Sequence, residues 1–128
     1  MAYRDFKTLE SLTSLGVSVV ETTQNVITTT PMQASAFLQE ALRRFVPLAT
    51  AINTEKARSE YIIAPILSEL AAQNPDLSLF SGRNFNVDPD KGLVGFCDFL
   101  ITRSSDKISI KSPVAVIVEA KNEDINSG

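Results

Sequence analysis

From Ala34 to Ile52 apolar residues recur three and four positions apart, at Ala34, Phe37, Leu38, Ala41, Leu42, Phe45, Leu48, Ala49 and Ile52. This spacing predicts an amphipathic helix with Gln39, Glu40, Arg43 and Arg44 on its wet face. Pro47 lies inside the pattern, so either the helix kinks there or a second one starts. Another helix follows, with Asn53 or Thr54 as its N-cap, and runs through "EKARSEYIIAPILSELAAQN" to the turn signal "NPD". Its middle, from Tyr61 to Leu67, is apolar all round and predicts burial on several sides. Glu60 opens that region and shares a stripe with Ile63, Ala64, Leu67 and Ala71, residues expected to face the core.

Before these helices, "RDFKTLESLTSLG" places Phe6, Leu9 and Leu12 or Thr13 on one face of a short helix that Gly16 would stop. The stretch Val17 to Pro31 is β-branched but broken by polar residues, and reads as one or two short strands or an extended loop. After the helices the period changes to two. "LSLFSGRNFNV", the turn "DPDKG", "LVGFCDFLIT", the turn "RSSDK" and "ISIKSPVAVIVEAK" predict a three-strand meander, its last strand interrupted near Pro113. The polar end, "NEDINSG", reads as a loop. Helices first and strands after give an α+β fold class, in a single domain over residues 1–128.

Composition narrows the chemistry. With 128 residues, 44% hydrophobic and 21% charged, the chain has the make-up of a globular domain. It holds no apolar run of transmembrane length and no signal-like start, which predicts a soluble, cytoplasmic protein without a membrane partner. There is one cysteine, Cys97, and no histidine. Within this chain those counts exclude an intramolecular disulfide, a Cys/His zinc site, and Ser-His-Asp or Cys-His catalysis. Acid-base or metal chemistry falls to carboxylates, lysine, tyrosine and water. The formal charge of −3 argues mildly against a partner held by bulk electrostatics, and leaves room for a local basic groove.

Two strands carry carboxylates where apolar residues are expected. Alternation puts Phe96, Asp98 and Leu100 on one face of their strand, and Ile117, Glu119 and Lys121 on one face of the next. If the strands are neighbours, Asp98 and Glu119 converge, with Lys121 one step further along. Two carboxylates at close range call for a shared proton or a divalent cation. Oxygen donors of this kind suit Mg²⁺ better than zinc. A metal so held, with a lysine beside it, is the equipment for hydrolysing a phosphodiester, and Glu60 could add a third carboxylate.

"GFCDFLI" followed after a turn by "VAVIVEAKN" resembles the signature of the PD-(D/E)XK nuclease superfamily, the restriction-endonuclease-like fold. The resemblance covers roughly residues 54 to 124 and rests on the triplet's place at the end of a β-branched strand, one hairpin after an Asp-bearing strand. It implies catalytic roles for Asp98, Glu119, Lys121 and Glu60. It also implies a Mg²⁺ or Mn²⁺ ion held by Asp98, Glu119 and the backbone carbonyl of Ala120. A nucleic-acid substrate, more specifically DNA, follows from the same resemblance, as does a homodimer as one form of assembly. Cys97 stands where the signature often has proline. The family's fold continues with a further helix and strand, so ending at Gly128 implies a C-terminally shortened member.

Each residue also has an ordinary reading. Asp98 could be a strand residue partnered by a lysine, Glu119 and Lys121 a solvated strand end, and Glu60 a helix-surface residue near Arg58. Cys97 reads as a packing residue, and Arg83 and Lys91 as solvated turn charges. The competing function is a non-catalytic binding or assembly module that keeps the nuclease-like fold. A metal-dependent hydrolase of another phosphate ester is a third.

Overall fold

The computed structural model describes residues 2–121. The stretch 122–128, read above as a loop, lies outside the described residues. The chain divides into two compact units, Met1–Gln33 with Phe85–Gly95, and Ala34–Asn84 with Phe96–Gly128.

In the first unit the expected short helix is a pair of 3₁₀ turns, Tyr3–Asp5 and Glu10–Leu15. The Ser11 and Thr13 hydroxyls donate to the Thr8 and Glu10 carbonyls at 2.5 and 2.7 Å, local bonds that compete with an α-helical ladder. Gly16, at φ 76°, ends the second turn in the left-handed conformation that glycine adopts without strain. Residues 17–35 contain neither helix nor strand, so the extended-loop reading is the one that applies. The Tyr3 N–H donates to the Val94 carbonyl at 2.9 Å, and its ring stacks on Phe85 with centroids 6.3 Å apart.

The second unit opens with α1, Ala36–Ile52, which runs through Pro47 as one helix. Ser35 caps it, accepting from the Leu38 N–H at 3.1 Å. Glu69 accepts from both the N–H and the hydroxyl of Ser35, tying the start of α1 to the later helix. The buried stripe is narrower than the spacing suggests. Leu38 and Ala49 are buried, whereas Phe37 is 82% exposed and Leu48 and Ile52 also reach solvent. On the wet face Glu40 pairs with Arg43 and Arg44 at 2.7 and 2.8 Å.

Asn53, at φ 54°, closes α1, and Thr54 caps the next helix by accepting from the Ala57 N–H at 3.0 Å. That helix comprises α2, Glu55–Arg58, a wide π turn, Ser59–Ile63, and α3, Ala64–Gln73. The π turn closes through the Ala64 N–H donating to the Ser59 carbonyl. Pro65 accounts for it: proline has no N–H for the Tyr61 carbonyl and its ring crowds that oxygen, so the turn opens. Phe45 of α1 packs on Tyr61, ring centroids 5.6 Å apart. Burial here is on several sides but partial: residues 61–65 are half-buried, Leu67 is in the core and Ile66 is exposed.

The predicted meander is present as a three-stranded antiparallel sheet in the order β1-β2-β3. Its strands are β1, Ser78–Asn84; β2, Phe96–Thr102; and β3, Val114–Val118. Leu67 of α3 meets Phe99 and Ile101 of β2, with Ile63, Leu70, Leu79 and Val118 around them. β2 is the central strand and almost wholly buried. β3 is shorter than its sequence suggests because residues 103–113 fold back along β1 instead. Ser78 donates to the Ser104 carbonyl at 2.5 Å, Lys107 to the Pro75 and Leu77 carbonyls, and Arg83 to the Ile108 carbonyl at 3.3 Å.

This packing separates two isoleucines of neighbouring strands. Ile101 is 2% exposed and Ile117 49% exposed. Ile101→Ala is expected to cost about 2–5 kcal/mol in urea unfolding and Ile117→Ala distinctly less, because only the first leaves a cavity. Equal losses would contradict the placement of the core on the Phe99/Ile101 face.

Candidate functional site

The site is built on the β2–β3 pair. Phe99 faces Val118 and Leu100 faces Ile117; one further step in that register sets Asp98 opposite Glu119, on the same face of the sheet. β3 ends at Val118, and the chain beyond it is held to β2 by a side chain. The Ala120 N–H donates to Asp98 Oδ2 at 2.8 Å. Asp98 is half-buried, and this donor offsets the loss of water that its charge would otherwise suffer.

The Glu119 carboxyl lies near the Asp98 carboxyl and the Asp98 backbone N–H. Loss of water on that side, then the negative charge of Asp98 and the bond between the two, hold the Glu119 pKa above the ordinary carboxylate range. The Asp98 N–H and the positive charge of Lys121 oppose the shift. The same surroundings act on Cys97. Burial first, then Glu119 and Asp98, push its thiol pKa up, which favours an inert packing residue over a nucleophile.

Beside this pair lies a cavity of about 420 Å³, within the range of small-ligand pockets. Glu55, Lys56, Ser59 and Glu60 line it from the helix, Ser81 and Gly82 from β1, and Asp98, Phe99 and Ala120 from the β2–β3 side. Glu60 and Asp98 thus border one space, while Lys121 stands by Glu119. Glu60 does not share the core stripe the spacing suggested. It is exposed and paired with Lys56 at 3.1 Å, because the π turn at Ser59–Ile63 changes the helix phase between Glu60 and Leu67.

Among the described residues no three Asp, Glu or Cys side chains come close enough to hold a metal ion. The donors that do come together are the carboxyls of Asp98 and Glu119, with the backbone of Ala120 alongside. One or two carboxylates with the remaining positions left to water is a donor set that suits Mg²⁺. Asp98 and Lys121 form no ion pair. Arg83, read as a solvated turn charge, sits on β1 over the Phe80 ring, 5.4 Å from its centroid, and Lys91 pairs with Asp88 at 3.6 Å.

Sequence reasoning passed over Lys56, Ser59, Ser81 and Gly82. The signals were present: Lys56 stands four residues before Glu60, and Gly82 interrupts the imperfect alternation between Leu77 and Val87. Comparison with known proteins finds no matching family model, no matching curated protein and no matching solved structure.

The raised pKa of Glu119 sets a direction for stability against pH. The folded state holds this proton more tightly than the unfolded chain, so the contribution is complete below the unfolded pKa and is lost as pH rises through the folded one. In urea titrations across that window, wild type is expected to lose more stability with rising pH than Glu119→Gln. Parallel pH profiles for the two proteins would contradict the repulsion described here.

Proposed function

We propose that this chain is a restriction-endonuclease-like nuclease of the PD-(D/E)XK type that hydrolyses phosphodiester bonds in nucleic acid, specifically DNA, using Mg²⁺ or Mn²⁺. The observation that carries the reading is the meeting of Asp98, within β2, with Glu119, just past the end of β3, next to a cavity that Asp98 and Glu60 line. Support comes also from Asp98 being held by a backbone N–H rather than by Lys121, which leaves the lysine available.

In this reading Asp98, Glu119 and the Ala120 carbonyl hold the cation. When bound, the metal supplies polarisation of the phosphoryl oxygen and a lowered pKa for a bound water. Glu60, across the cavity, accepts a hydrogen bond from the attacking water and orients it. Lys121 places its positive charge where negative charge grows on the phosphoryl oxygens. The hydrogen bond from Ala120 to Asp98 keeps the carboxylate aimed before substrate arrives, so little reorganisation is needed at the moment of reaction. Assembly as a homodimer, which would let two such sites cut both strands, belongs to the same reading.

The competing reading, a binding or assembly module without catalysis, is favoured by one observation: no three acidic side chains gather among the described residues. Calorimetry with Mn²⁺ and Mg²⁺ separates the two. Saturable binding by wild type, lost in Asp98→Asn and in Glu119→Gln, is the expected result, and absence of binding by wild type favours the module. For plasmid cleavage in Mn²⁺, Lys121→Ala is expected to lower the rate by about 100-fold or more while leaving metal binding intact. An unchanged rate would remove Lys121 from the mechanism.

A further inference from the structure

Building on the nuclease reading, we propose that Lys56 is the residue that takes hold of the nucleic-acid backbone at this cavity, exchanging its ion pair with Glu60 for one with a phosphate. The charges around the cavity raise the need for such a residue. Glu55, Glu60 and Asp98 line it, and Lys56 is the one cation among the described residues that do. A phosphodiester entering this space meets three carboxylates, so its binding depends on whatever positive charge the walls present.

Lys56 is placed and paired for exchange. Its side chain is 83% exposed and its Nζ lies 3.1 Å from Glu60 Oε1, four residues along the same helix. An exposed pair of this geometry is weak and screened by solvent. The flexible four-carbon stem of lysine lets the ammonium swing to a new partner without moving the backbone. Releasing Glu60 in the same motion frees that carboxylate to meet the water it orients in the proposed reaction, so one exchange prepares both groups.

The other polar groups on the walls fit the same ligand. Ser59, on the helix, and Ser81, on β1, both face the cavity, and neither hydroxyl has a partner among the described residues. Neutral donors on both walls can hydrogen-bond phosphate and sugar oxygens without reading sequence. Of the other cations near this part of the chain, Arg58 donates to the Asn53 side chain at 2.7 Å, and Lys121 does not line the cavity.

Fluorescence anisotropy of a fluorescein-labelled DNA duplex, titrated with protein in Ca²⁺ at several salt concentrations, tests this. Lys56→Met is expected to weaken binding by about 10-fold and to reduce the salt slope by about one, while Lys56→Arg restores both. Lys56→Met is also expected to melt with wild type, since the side chain is exposed. Equal affinity and slope for wild type and Lys56→Met, with metal binding by wild type intact, would overturn the role of Lys56 and leave the nuclease reading standing. Wild type that binds neither metal nor DNA would overturn both.

Discussion

Asp98 is a charged residue in the central strand of the sheet, and the second unit is arranged around making that tolerable. An aspartate on a half-buried strand face needs donors, and the one it receives comes from the chain just past the last strand, through the Ala120 N–H. That bond extends the β2–β3 pairing beyond its final ladder partners. It also fixes the residues on either side of Ala120: Glu119 is carried to the side of Asp98, and Lys121 is brought within electrostatic reach of Glu119. The unfavourable proximity of two carboxylates is thus a consequence of how the sheet ends, and the interaction that holds Asp98 in place is the one that presents Glu119.

The helical side of the cavity has a separate origin. Pro65 cannot donate to the preceding turn, and the π turn at Ser59–Ile63 is the local answer. Its effect is directional. Leu67 and Ile63 stay against Phe99 and Ile101, while Lys56, Ser59 and Glu60 turn to the space beside the sheet. A regular helix would have carried Glu60 toward the core stripe, where its charge would need a buried partner. The chemistry proposed for the cavity therefore depends on a departure from helical regularity in a segment that packs like an ordinary helix.

Which of these features could be read in advance depends on their range. The long amphipathic helix, the Thr54 cap, the stop at Gly16 and the order of three strands all rest on contacts between residues close in sequence or on a simple period. Those are local properties of the side chains and legible without coordinates. Phe37 illustrates the limit: it satisfies the helical spacing and still faces solvent, because periodicity identifies a face without saying how wide a neighbour covers it. The same limit applies to residues 108–112, whose alternating pattern suggested strand, yet they form none and the Ile108 carbonyl accepts from Arg83 of β1.

For the candidate site, alternation along β2 was enough to place Asp98 on a face with Leu100, whereas Glu119 and Lys121, expected to alternate along the next strand, lie past the end of β3. Their meeting required the register of β2 against β3, a long-range pairing that no single strand encodes. The Lys56–Glu60 pair was legible as a four-residue spacing, but its position at the cavity was not, since the π turn sets the phase and the sheet supplies the opposite wall. Residue types and periods thus limited the chemistry to carboxylates and lysine on helix and strand. The tertiary structure alone decided which of those charges share one space, because distance between charges, and with it their pKa and their use, is set by packing between elements far apart in the chain.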